Sequence, residues 1–125
     1  MSTLVSVTGA VKIDVYVDGE GEKEIAAERL AQKVEATCNV TVFPTRCRFG
    51  DDDLIPSTYV LVLCGSMYAD TFIQAKEQIN KLFDVIRQSE TAFFQECAIR
   101  LYDYNTDMVD SIIKGETDNV DPDSN

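Results

Sequence analysis

The chain has 125 residues, 45% of them hydrophobic, enough for one domain with a single core. Its formal net charge of −11 disfavours direct contact with nucleic acid or an anionic membrane, since both need a cationic footprint. It has no histidine, which removes the commonest general base and every Ser-His or Cys-His nucleophile.

From Leu4 to Asp18, Val5, Val7, Val11, Ile13, Val15 and Val17 alternate with Ser6, Thr8, Ala10, Lys12, Asp14 and Tyr16. A period of two held this long predicts a strand with one buried and one open face, hence a sheet covered on one side only. Gly9 is the expected place for a bulge or bend. The segment DGEGEKE then leads into an amphipathic helix over Glu22 to Cys38, with Ala27, Leu30, Ala31, Val34 and Cys38 as its apolar stripe. Glu22 and Glu24 in its first turn oppose the positive end of the helix dipole favourably.

Val40 and Val42 begin a second strand that meets Pro44, which marks it as an edge strand or a bulged one. Gly50, Asp51, Asp52, Asp53 and Pro56 punctuate a turn, and the apolar run Tyr59 to Cys64 predicts a central strand ended by Gly65 and Ser66. A second helix is expected from about Asp70 to Gln88, capped by Asp70 or Ser66, with Phe72, Ala75, Ile79, Leu82, Phe83 and Ile86 facing the core. In the following strand Phe93, Cys97, Ile99 and Leu101 share one parity, and Phe94, Glu96, Ala98, Arg100, Tyr102 and Tyr104 the other. Met108, Val109, Ile112 and Ile113 have the spacing of a short helix, stopped by Gly115. Residues 115–125 are acidic and nearly devoid of apolar side chains, so they predict a disordered tail after a single domain over residues 1–114. Asp103 to Asn125 holds seven acids and one base, −6, against −5 for the preceding body.

The four cysteines, Cys38, Cys47, Cys64 and Cys97, include no CxxC pair, and a zinc site would need all four to converge. Cys64 and Cys97 fall inside apolar strand segments and read as small buried hydrophobes. No catalytic, metal or cofactor motif is present, so the chain is read as a non-enzyme without a cofactor. The opening residues lack the basic flank and apolar run of a signal peptide, and no run is long enough to cross a bilayer, which predicts a cytoplasmic protein.

The element order β-α-β-β-α-β over residues 4–104 resembles the ferredoxin-like architecture. That resemblance implies an α+β sandwich: a four-stranded antiparallel sheet in the order 4-1-3-2, with two helices on one face. It implies nothing about function. In such a fold Asp18, Glu20, Glu22, Glu24, Asp51, Asp52, Asp53 and Glu90 would gather as an acidic rim at one end, with the tail leaving from the other.

Tyr16, Phe94, Tyr102 and Tyr104 would stand on the open face with Lys12, Asp14, Glu96 and Arg100, the last two read as a cross-strand charge pair. RNA-recognition domains stack bases on aromatics placed there, but the basic-aromatic pattern is missing and the charge has the wrong sign. Protein contact is the better expectation, including a homodimer that pairs two such faces. The functional expectation is therefore a small acidic protein that binds and inhibits or regulates a macromolecular partner through its acidic loops and tyrosine-bearing face. In its sharper form the partner offers a basic, nucleic-acid-binding groove and the rim carboxylates replace phosphates; in size and charge the chain resembles small acidic proteins that phages direct against host defences. Two alternatives stand beside it: a homodimeric ligand-binding or small enzyme domain with a pocket at the open face, and a structural accessory subunit.

Overall fold

The computed structural model describes residues 2–47 and 57–115. It is a mixed α+β fold with the elements β1 (Thr3–Val15), α1 (Glu20–Cys38), β2 (Thr41–Arg46), β3 (Ser57–Ala69), α2 (Phe72–Asn80), α3 (Leu82–Arg87), β4 (Ala92–Asp103) and β5 (Val109–Lys114). The strands form one five-stranded sheet in the order β2-β3-β1-β4-β5, with every neighbouring pair antiparallel.

β1 is the central strand, and its alternation sorts the two faces. Val5, Val7, Val11, Ile13 and Val15 are fully buried and pack with Leu30, Val34, Ile79, Leu82 and Ile86 of the helices. Each such aliphatic side chain withdrawn from water contributes roughly 1.5–3 kcal/mol. The even positions face away from the helices. Gly9 carries no bulge: β1 pairs with β3 in unbroken register from Thr3↔Ala69 to Val15↔Ser57. What Gly9 allows is close approach, since a Cβ there would lie 2.5 Å from the Ala98 carbonyl oxygen.

α1 starts at Gly19, which has φ 92° and makes no side-chain cap. It stops at Asn39 in the left-handed region (φ 62°), whose amide donates to the Glu35 carbonyl oxygen at 2.8 Å. β2 is an edge strand, as Pro44 requires, and the Val42 amide donates to the Glu35 carboxylate at 3.0 Å.

The structure departs from the sequence expectation in four elements. β3 does not end at Gly65 and Ser66 but runs to Ala69, because Val7, Ser6, Val5, Leu4 and Thr3 continue to pair with it; Gly65 sustains φ 153° within the ladder. The helix expected from Asp70 to Gln88 is two helices separated at Lys81 (ψ −19°), and its cap is Thr71, whose hydroxyl accepts from the Gln74 amide at 3.1 Å. The segment expected as a short helix is β5, a fifth strand beside β4, with Ile112 buried and Ile113 exposed on opposite sides. Because β5 reverses the chain, its end at Lys114 lies level with Cys97 and heads back toward the rim, not away from it.

The fourth departure is a bulge in β4. The β1–β4 register shifts between Lys12 and Ile13, pairing Lys12 with Glu96 and Ile13 with Phe94, so Gln95 is the extra residue. It reverses the parity of everything before it. Phe94 turns toward the core and meets Phe83 edge-on at 5.5 Å, while Phe93 turns to the open face beside Tyr16, ring centres 5.2 Å apart.

Candidate functional site

The pairings define the open face row by row. Through the middle runs Phe43 (β2), Val62 (β3), Ala10 (β1), Ala98 (β4) and Ile113 (β5). On one side of that row stand Lys12 and Glu96, then Asp14 and Phe93, then Tyr16; on the other stand Thr8 and Arg100, then Ser6 and Tyr102, then Leu4 and Tyr68. The floor is small side chains, and the bulk is at the two ends and edges. Of the ten large hydrophobic residues exposed among the described residues, seven lie on this face: Tyr16, Phe43, Tyr68, Phe93, Tyr104, Val109 and Ile113. Apolar exposure among the described residues is therefore concentrated on this face.

The sequence places Tyr16, Tyr102 and Tyr104 here correctly, Tyr102 and Tyr104 with ring centres 5.1 Å apart. Phe94 is the misplaced one, for the bulge reason above. Phe93, Phe43, Tyr68, Val109 and Ile113 are face residues that sequence reasoning missed. The alternation of Val109, Ser111 and Ile113 against Ile112 is the signal that could have revealed the last two.

Charge on the face is fixed in part. Asp14, though on the open side, is 9% exposed and accepts from the Thr58 hydroxyl at 2.7 Å and from the Gln95 amide. The bulge thus delivers Gln95 to a buried carboxylate and ties β3, β1 and β4 together. Glu96 pairs with Lys12 at 3.8 Å and not with Arg100; the two are four residues apart on the same strand. Arg100 has no ion-pair partner among the described residues. Beyond the aromatic end, Asp14, Tyr16, Glu90, Phe93, Phe94 and Gln95 line a shallow depression of about 560 Å³.

At the opposite end, the Thr3 hydroxyl donates to Asp103 and the Asn105 amide donates to it at 2.8 Å. The Thr3 bond, with the loop amides, holds the Asp103 carboxyl below its ordinary range. The Tyr102 hydroxyl donates to Asp107, whose carboxylate pushes the phenol above its usual value. On the helix side, Lys76 binds Asp110 at 2.6 Å and keeps that carboxyl low, which fastens β5 to α2.

Of the expected rim, Asp18, Glu22, Glu24 and Glu90 are exposed, and none is ion-paired among the described residues. Asp51, Asp52 and Asp53, and the side chain of Glu20, lie outside the described residues. Between α1 and α3 runs a groove of about 830 Å³ whose lining mixes Glu22 and Glu90 with Arg29, Lys33, Ile25 and Val85. Cys38 and Cys97 are buried, but Cys64 is exposed, because β3 turns it to the open face opposite Thr8. Among the described residues no three Cys, Asp or Glu side chains are grouped to hold a metal ion, and no helix is long and apolar enough to cross a membrane.

Comparison with protein-family models, with curated proteins and with solved structures yields no match.

Proposed function

We propose that this chain is a non-enzymatic protein-binding module, ferredoxin-like in architecture, whose working surface is the open face of its sheet. The strand sequence β4-β1-β3-β2 within the sheet supports the architecture, with β5 as an addition at the β4 edge. One observation carries the function: most of the large apolar side chains exposed among the described residues stand on one face of the sheet, the face that no described helix covers. The well-buried carboxylates Asp14 and Asp103 are occupied by structural hydrogen bonds, which supports a binding role over acid–base chemistry.

The carboxylates of Asp18, Glu22, Glu24 and Glu90, without ion pairs among the described residues, support the narrower version, in which the protein inhibits a partner by seating its acidic end in a basic, nucleic-acid-binding groove. The two versions separate by mutation. Immobilised protein is incubated with native lysate at low and high salt, using wild type, Phe43→Ser/Ile113→Ser and Glu22→Lys/Glu24→Lys. The face reading expects the first variant to lose bound protein and the second to retain it at high salt. Retention of every captured protein by the face variant sinks it; loss confined to the acidic variant, and steep in salt, selects the groove inhibitor.

A further inference from the structure

We infer that a second copy of this chain occupies the open face, with the two sheets stacked about a two-fold axis that lies between them and runs across the strands. This rests on the reading of that face as a protein-contact surface and names its occupant. Such an axis sets each strand over its own copy and exchanges rows at equal distance on either side of the central row. The row from Phe43 through Ala10 to Ile113 then packs on itself, and small side chains at its centre admit the approach.

The rows on either side are complementary under this exchange. Glu96 and Arg100 lie two residues to either side of Ala98, so Arg100 of one protomer meets Glu96 of its partner, twice per dimer. Arg100 lacks an ion-pair partner within its own chain's described residues, and Glu96 is 63% exposed in its side chain. Four residues from the centre, Phe93 beside Asp14 meets Tyr102 beside Ser6, so aromatic ends pack on aromatic ends. An axis along β1 does the opposite. It sets Lys12 on Lys12 and lays Arg100 and Glu96 over the β3 positions Cys64 and Val60.

Stacked sheets rotate by about 30°, which displaces a group ~7 Å from the centre by roughly 4 Å, a gap that arginine and glutamate side chains span. Five strands about 4.8 Å apart, from 6 to 13 residues long and about ten on average, present roughly 800 Å² per protomer, the size of a standard stable interface.

The test is sedimentation equilibrium of the purified full chain from micromolar to submillimolar concentration. Wild type is expected to dimerise. Glu96→Arg and Arg100→Glu each place like charges together twice and should weaken the dimer roughly tenfold or more. An equimolar mixture of these two variants restores both pairs and should recover it, which a merely structural role for either residue would not produce. Far-UV circular dichroism checks that each variant folds; should one fail, Ala98→Arg, at the exposed centre, must be monomeric while wild type is dimeric. A monomeric wild type, undiminished dimerisation of the charge variants, or a mixture that stays monomeric overturns the dimer. If the dimer falls but Phe43→Ser/Ile113→Ser still loses a protein that wild type captures, the contact-surface reading stands; if that variant loses nothing, both fall.

Discussion

Burial dominates the chemistry of Cys38, outweighing the opposing pull of the Leu82 backbone and the Lys81 charge. Its thiol is fully enclosed between α1 and α2, donates to the Ile79 carbonyl oxygen at 3.6 Å, and is pushed up to about 11 from 9.0 by desolvation. Below pH 9 both the folded and unfolded forms carry the thiol, so its contribution to stability is fully present there; as pH rises through 9 toward 11 the unfolded chain ionises first and that contribution is lost. Cys97, also raised by burial, acts in the same direction. The urea midpoint should therefore fall with pH across this window, and Cys38→Ala, though less stable at pH 8, should fall less steeply. An equal slope in the variant assigns the loss elsewhere. Gly9 offers a second test: a Cβ would meet the Ala98 carbonyl oxygen at 2.5 Å and the Ile99 Cα at 2.6 Å, both backbone. Gly9→Ala should cost about 1–3 kcal/mol in denaturant unfolding, as overpacking does.

The bulge at Gln95 is an element-scale device. With Gln95 present, Phe93 faces out and Phe94 faces the core; a regular strand of the same sequence would exchange them. Deleting Gln95 regularises the ladder and keeps both phenylalanines on their present faces, losing only the hydrogen bond to Asp14, roughly 1–3 kcal/mol. Deleting Ala98 instead puts the two sides of β4 out of phase and should abolish cooperative unfolding, read by near-ultraviolet circular dichroism. Equal tolerance of both deletions would show that β4 register is not fixed by its buried face.

This also explains why the element pattern was legible and its details were not. β1 spells out its alternation over its whole length, whereas a one-residue bulge leaves no compositional mark. β5 was hidden because Val109, Ile112 and Ile113 fall at i, i+3 and i+4, and six residues are too few to separate the two periods. β3 outruns its apolar stretch because pairing with β1, a tertiary effect, holds Gly65 and Ser66 in place.

For the whole molecule, the division between the two sheet faces governs what substitutions do. Leu61 is fully buried, and Leu61→Ala should cost about 2–5 kcal/mol in the monomer. Phe43→Ser/Ile113→Ser should cost much less, about 1 kcal/mol, because Ile113 is 74% exposed and Phe43 45% exposed. A loss as large as that of Leu61→Ala would mean the face supports the fold and is not held in reserve for contact. The candidate site was half legible for the same reason. Tyr16, Tyr102 and Tyr104 follow from local parity, but Phe43, Tyr68, Val109 and Ile113 join the face only through registers between distant segments.

β1 has a temporal consequence. It is the central strand, yet its partners are residues 57–69 and 92–103, and its bond from Thr3 to Asp103 spans a hundred positions. At the usual pace of translation, about 5–20 residues per second, the second partner emerges roughly 5–20 s after β1 itself. The first partner emerges roughly 3–11 s after β1, so a valine-rich strand waits first without either neighbour and then with one, and folding is dominated by late, non-local pairing. The residue that completes the sheet's centre is also the one that ends the period of greatest exposure to aggregation.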